Sequence, residues 1–200
     1  MFRNTFLALS IASLSTISPL IAEEKAKGTY FVGSIGSGQM NDITFSDALG
    51  GGTATFDAGF SGEIGVGYDF GNLRTELTYN STTTALAGTT GVDVNVKSFL
   101  ISAAYDWRAD KKWQPYVGLG VGASTVDINL DATVGGTAVT AGDDNIATAK
   151  FKLGVNYEAS KDIDVYGEFW GQGFDDFTIG LVEFTDITVS GVSLGIRVKL

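Results

Sequence analysis

Residues 60–80, FSGEIGVGYDFGNLRTELTYN, decide how this chain folds. Taken two at a time, Phe60, Gly62, Ile64, Val66, Tyr68 and Phe70 share one face, and Ser61, Glu63, Gly65, Gly67 and Asp69 share the other. Successive side chains of a β-strand point to opposite sides, so the stretch reads as a strand with an oily face and a small, charged face. Gly71-Asn72 supplies a tight turn. The alternation then resumes with Leu73, Thr75, Leu77 and Tyr79 against Arg74, Glu76, Thr78 and Asn80.

The same period runs outward in both directions. Phe99, Ile101, Ala103, Tyr105 and Trp107 oppose Ser98, Leu100, Ser102, Ala104 and Asp106. Trp113, Pro115, Val117, Leu119, Val121 and Ala123 oppose Gln114, Tyr116, Gly118, Gly120, Gly122 and Ser124. Phe151, Leu153, Val155 and Tyr157 oppose Lys150, Lys152, Gly154, Asn156 and Glu158. Ile163, Val165, Gly167 and Phe169 oppose Asp164, Tyr166, Glu168 and Trp170, and Val192 to Leu200 close the series against Gly191, Ser193, Gly195, Arg197 and Lys199. A glycine-rich first strand spans about 28–38, with a facing that Tyr30-Phe31-Val32-Gly33 does not set. Val92, Val94 and Val96 are out of phase with Phe99 onward, and are read as a part of the strand above the bilayer where no lipid dictates facing, rather than as a bulge near Lys97-Ser98.

Connections alternate in length. Those at 71–72, 108–112 and 159–162 are short, and those near 39–55, 81–95, 126–147 and 173–187 are long and rich in Gly, Thr and Asp. Runs of about 9–11 residues are what a tilted transmembrane strand needs, and short turns on one rim with long loops on the other describe an outer-membrane barrel. The predicted fold is an all-β, eight-stranded, antiparallel, up-and-down transmembrane β-barrel over residues 28–200. Both ends of the barrel then lie in the periplasm. Residues 1–22 read as a secretory signal peptide, with Arg3, an apolar stretch from Thr5 to Ile17 and Ala22 at the cleavage position. The alternative, an N-terminal membrane anchor, meets a segment short for a span of about 20 residues. Residues 23–27 are left as a short periplasmic segment.

Alternation alone does not say which face is wet, and a soluble lipocalin-like barrel is the rival. Three features oppose it. The charged face is also the glycine face (Gly65, Gly67, Gly118, Gly120, Gly122, Gly154, Gly195), and small residues suit the narrow interior of an eight-stranded barrel. Aromatic residues of the oily face band at two heights: Tyr68, Phe70, Tyr105, Trp107, Trp113 and Tyr157 beside the short turns, and Phe60, Tyr79, Phe99, Phe151 and Phe169 toward the long loops. Two such girdles belong at two membrane interfaces. The oily face carries no charge within the strand cores, where one would cost about 2–4 kcal/mol at the bilayer midplane.

Composition narrows function. The chain has no cysteine and no histidine, so no disulfide, thiolate or His-based metal site and no His general base is available. Loss of 1–22 removes Arg3 and no acid, moving the net charge from −10 to −11, and a nucleic-acid partner is not expected. No cofactor is expected, and a nucleophile without an adjacent base argues against an enzyme. Gly118-x-Gly120-x-Gly122 has no following helix and reads as strand packing, not a phosphate cradle.

The inward face mixes Glu63, Glu76, Glu158, Asp164 and Glu168 with Arg74, Lys150, Lys152, Arg197 and Lys199. Buried charges must be paired, so a lumen charge network is expected, centred on Arg74 with Glu76 and with Glu63 nearby. It either closes the lumen or gates a narrow polar pore by exchanging partners. In the long loops, Asp127, Asp131, Asp143, Asp144, Asp175 and Asp176 read as solvated acids, with a Ca²⁺ or Mg²⁺ site bridging lipopolysaccharide as the alternative; no metal site is assigned. Ile128, Leu130, Val134, Ile179, Leu181, Val182 and Phe184 add apolar surface for an adhesive contact with an external ligand.

Ser193, Gly195, Val198 and Leu200 fit a polar-x-Gly-x-x-apolar-x-apolar pattern that resembles the C-terminal signal handing outer-membrane barrels to the barrel-assembly machinery. Together with Tyr116 to Gly122 and Phe151 to Tyr157 it makes the chain similar to the small outer-membrane barrels of Gram-negative bacteria, the opacity-type porin and OmpA-like group. Leu200 stands where that group commonly ends in Phe, and no OmpA-style wall anchor is expected. The resemblance implies residence in the outer membrane, in contact with its lipid and lipopolysaccharide, and architecture more than activity: a structural or surface-interaction role through the long loops, or a small-solute porin.

Overall fold

A computed structural model of the chain describes residues 27–45, 52–89, 91–107, 109–130, 139–179, 182–184 and 187–200. Eight long strands make the wall: β1 (Gly28–Met40), β2 (Gly59–Asp69), β3 (Leu73–Leu86), β4 (Val92–Asp106), β5 (Trp113–Leu130), β6 (Val139–Glu158), β7 (Ile163–Phe174) and β8 (Thr188–Lys199). Each pairs antiparallel with its sequence neighbours, and β1 pairs with β8 from Tyr30↔Lys199 to Met40↔Val189. The sheet is therefore closed. Lipid permits no other β-structure, since an open edge would leave amides and carbonyls without partners.

Side-chain chemistry sets each short turn. At the first, the Asp69 carboxylate accepts the Gly71 N–H at 2.7 Å while Gly71 takes φ 110°, a backbone region that glycine enters without strain. At the second, the Gln114 amide donates to the carbonyls of Lys111 (2.7 Å) and Ala109 (3.2 Å). At the third, the Ser160 hydroxyl accepts the Ile163 N–H at 3.1 Å.

The opposite rim departs from the sequence expectation. Most of what reads as long loop is strand. β3 runs to Leu86 and β4 starts at Val92, so only residues 87–91 connect them; β5 and β6 extend to Leu130 and from Val139. Short pairings of Ile43–Phe45 with Gly52–Ala54 and of Phe177–Ile179 with Val182–Phe184 occupy the other two connections. Thr- and Asp-rich composition obscures these extensions, because strands standing above the bilayer have no lipid-facing apolar stripe to betray them.

The three valines lie on one continuous strand, the alternative favoured over a bulge from the sequence. Val92, Val94 and Val96 point into the barrel in unbroken register with Ser98, Leu100 and the rest of the inward face. There is no bulge near Lys97-Ser98, and facing there is dictated by interior packing. The register shift lies between β5 and β6, at Ser124/Val126, where Asn145 of β6 takes φ 64°, a left-handed conformation asparagine tolerates.

Facing in β1, open from sequence, is also settled. Tyr30 and Val32 are buried in the lumen, while Phe31 and Ile35 point out. Elsewhere the oily residues are on the outside: Ile64 is 66% and Leu194 69% exposed, against 2% for Arg74 and 0% for Asp106. In water such a surface would be untenable for a monomer; in hydrocarbon it is the required one.

Candidate functional site

The lumen holds three stacked layers. Toward the short-turn rim lies a charged layer organised around two carboxylates. Glu76 accepts the Tyr30 hydroxyl at 2.8 Å, Arg74 Nη1 at 3.2 Å and Arg197 Nε at 3.2 Å on one oxygen, with Lys152 Nζ 3.5 Å from the other. Glu63 takes Lys152 at 2.6 Å on one oxygen and Lys150 at 2.9 Å on the other. Arg74 turns its remaining edge to Asp106 in a bidentate pair of 2.5 and 2.9 Å. Glu168 accepts the Tyr116 hydroxyl at 2.7 Å, and Arg197 reaches Asn156 at 2.9 Å.

Thus Arg74 does meet Glu76, but its principal partner is Asp106, which sequence reasoning leaves out of the network. Glu63 does not meet Arg74; it is the anchor of the two lysines. The signal for Asp106 is present: Arg74 and Asp106 are inward positions next to the short turns of their strands, hence at one height. Lys199 lies 3.9 Å from Asp164 near the rim, and Glu158, half-buried in register with Asp164, sits outside the main network.

Aromatic rings complete the layer. The Arg197 guanidinium lies 3.9 Å from the centre of the Tyr166 ring, Arg74 4.9 Å from Tyr116, and the Lys150 ammonium 4.6 Å from Trp170. Each ring faces a glycine directly across the ladder: Tyr30↔Gly67, Tyr116↔Gly154, Tyr166↔Gly195 and Trp170↔Gly191. A Cβ built on Gly154 would stand 2.6 Å from the Tyr116 ring, and one on Gly67 or Gly195 would strike Tyr30 or Tyr166. These inward glycines are seats for rings, a more specific use than spare room. Gly154→Val should cost about 1–3 kcal/mol by overpacking, read as a lower urea midpoint of the refolded barrel. A variant as stable as the parent would show that Tyr116 is not seated there.

Above the charges, the Gln172 amide donates to Ser98 (2.8 Å), Thr148 (3.0 Å) and Ser124 (3.3 Å). Beyond this polar belt comes an apolar cap in which Met40, Phe56, Val94, Val96, Val126, Ile146, Ile187 and Val189 cluster over Trp170. The Trp170 indole N–H is satisfied by Ser193 at 2.9 Å.

On the outside, the aromatic residues pair within their bands. Tyr68–Phe70, Tyr105–Trp107 and Trp113–Tyr157 stack or tilt together at 4.6, 5.7 and 4.7 Å beside the short turns, and Tyr79–Phe99 do so at 5.3 Å toward the far rim. Phe60, Phe151 and Phe169 also face outward. At the C-terminus, the Leu200 N–H bonds to the Thr29 carbonyl at 2.9 Å and its side chain is exposed.

Among the loop acids, Asp127 pairs with Lys97 at 3.0 Å and Asp175 and Asp176 are exposed. Asp131 and the side chains of Asp143 and Asp144 lie outside the described residues, as do Val134, Leu181 and the side chains of Leu130, Ile179, Val182 and Phe184. Ile128 is partly buried against the cap. Among the described residues no group of three or more acidic side chains is placed to hold a metal ion.

A closed barrel of eight strands with an apolar exterior, aromatic bands and a charged interior defines a small transmembrane barrel of the outer-membrane type. Residues 5–199 match the family model described as an outer membrane protein beta-barrel domain, and the chain belongs to that family and to the bacterial outer membrane. Among solved structures, Neisserial surface protein A is similar with a TM-score of 0.59 at 20% identity, covering 86% of this chain and 99% of that one. OprG of Pseudomonas aeruginosa follows with 0.56 at 14%, covering 86% and 97%. AlkL, determined in lipid bilayers, gives 0.53 at 16%, covering 94% and 98%. At these identities the likeness is one of fold. No curated protein sequence matches the chain.

Proposed function

We propose that the protein is a non-enzymatic barrel whose lumen is a closed structural element and whose interactions are made at its external end. The observation that carries this reading is the filling of the lumen: a paired charge layer, a belt of hydroxyls around Gln172, then an apolar cap. An ion entering the cap would lose its hydration without gaining a partner, a cost of several kcal/mol. What is left for recognition is the rim made by the extended strands and their hairpins, where an adhesive contact with an external ligand would form. The absence of histidine and cysteine from the chain supports a role without acid–base or thiol chemistry. In this reading residues 1–22 are removed on export, Ser193, Gly195, Val198 and Leu200 present the chain to the assembly machinery, and the aromatic bands contact lipid and lipopolysaccharide.

The rival is a gated polar pore. It draws on Lys152 being shared by Glu63 and Glu76, which makes an exchange of partners available. Planar-bilayer recordings of the refolded mature chain decide between them. No steady conductance is the expected result; reproducible single-channel steps, altered by Arg74→Ala, would replace the closed lumen by the pore.

A further inference from the structure

The oily wall is uneven around its circumference. On β2 to β5 an outward trough of about 660 Å³ opens where Thr75 and Ala103, paired across the ladder, are shorter than their neighbours Tyr68, Leu77, Ile101 and Leu119. A second trough of about 510 Å³, walled by Phe31, Ile64, Tyr79 and Phe99, shares Val66 and Leu77 with the first. Together they run lengthwise up the wall, from the aromatic band beside the short turns to the band toward the far rim. An unfilled trough forfeits dispersion contacts, and a hydrocarbon chain laid along it restores them.

The short-turn end of the trough is polar. Thr29, Tyr68 and Thr75 stand side by side on three strands, outward and exposed, so three hydroxyls meet in one row. The short-turn half of β5 to β8 presents Val117, Val155, Val165 and Ile196 instead. A hydroxyl facing hydrocarbon is costly without a partner, and the ester carbonyls of a glycerolipid would accept from it. Cations lie below the row. Lys27 reaches the first short turn, its Cε 3.8 Å from where Gly71 would carry a Cβ, and Lys111 and Lys112 are exposed on the second. The acids of these two turns are engaged: Asp69 by the Gly71 N–H, Asp106 by Arg74 and Asp110 by Lys111. The far rim has the opposite sign. Asp42, Asp57, Asp93, Asp175 and Asp176 are exposed there, and Lys97 is held by Asp127.

Along the membrane normal this part of the wall thus carries cations, hydroxyls and hydrocarbon, in the order of a phospholipid's phosphate, esters and chain. We propose that the outer wall of β2 to β5 is a seat for one anionic glycerophospholipid of the leaflet at the short-turn rim. Its chain lies in the trough, its esters at Thr29 and Thr75, and its head group against Lys27, Lys111 and Lys112. The seat rests on the reading that the outer wall contacts lipid, and is independent of whether the external rim binds a partner.

Native mass spectrometry tests it on the refolded mature chain, released from micelles holding equal amounts of phosphatidylglycerol and phosphatidylethanolamine, with heat-modifiable mobility confirming the fold of each sample. One phosphatidylglycerol should be retained per barrel, in preference to phosphatidylethanolamine by at least about fivefold, the effect of a single lysine near an anionic surface. Lys111→Gln with Lys112→Gln should bring the two lipids within about twofold of each other, and Ala103→Leu, which fills the trough, should lower retention of both. Lys161→Gln, on the short turn away from the trough, should change nothing. A folded parent without the preference overturns the seat and leaves the wall in lipid. So does a preference that survives loss of Lys111 and Lys112, one that falls equally with Lys161→Gln, or retention indifferent to Ala103→Leu. A chain that never becomes heat-modifiable in lipid would sink the lipid-facing wall, and the seat with it.

Discussion

Replacing Glu76 with leucine should destabilise the barrel more than any other single change in the lumen, by about 3–5 kcal/mol. Four groups converge on this carboxylate: Tyr30, Arg74, Arg197 and Lys152. Arg74 would keep Asp106 and Lys152 would keep Glu63, but Arg197 would be left with Asn156 and the faces of two tyrosine rings. A cation buried against neutral partners is the costly case, whereas removal of both charges together is often close to neutral. Glu76→Leu with Arg197→Met should therefore recover part of the loss. Equilibrium urea unfolding in lipid vesicles, followed by tryptophan fluorescence, measures both. A single variant within about 1 kcal/mol of the parent, the scale of an exposed pair, would mean the network is solvated and the lumen open.

An Ile64→Arg substitution should cost about 2–4 kcal/mol, the penalty for a cation on the lipid face near the bilayer midplane. Ile64 lies midway along β2 between the band residues Phe60 and Tyr68, and it points outward. An arginine at the far rim, for example in place of the exposed Thr89 between β3 and β4, should be nearly silent. The pair reads the depth of the membrane on the wall, because snorkelling rescues an arginine near an interface but not at the centre. If both variants unfolded at the parent midpoint in vesicles, the oily face would not be the lipid face.

The wall was legible in the sequence because lipid imposes a strict rule on every second residue. Ile64, Val66, Leu77, Ile101 and Leu194 could be faced correctly from alternation alone, and the strand number followed. Above the bilayer that rule lapses. Val92, Val94 and Val96 look out of phase only if the outside is assumed to be oily; there the outside is wet and the inside is the apolar cap, so the pattern inverts without any break in the strand. The lumen was legible as a set of charges but not as a set of pairs. Arg74 and Glu76 share a strand face, so their contact could be foreseen, while Glu63 with Lys150 and Lys152 spans the barrel and depends on its tilt and shear. The rings of Tyr30, Tyr116, Tyr166 and Trp170 went unassigned because their seats, Gly67, Gly154, Gly195 and Gly191, become neighbours only once the register is known.

Two of those seats are on β8. Gly195 receives Tyr166, Gly191 receives Trp170, and Ser193 between them holds the indole N–H. The terminal segment that resembles an assembly-machinery signal is a keyed joint, notched on its inner side to fit the preceding strand. If the proposed assembly signal holds, drift at Gly195 or Ser193 would be penalised twice, in hand-over and in closure of the cylinder, so a cell-based assembly defect at either position would not by itself identify a recognition residue. Refolding the altered chain from urea, with no cellular helper present, separates the two: a pure addressing fault folds normally, and a jammed joint does not.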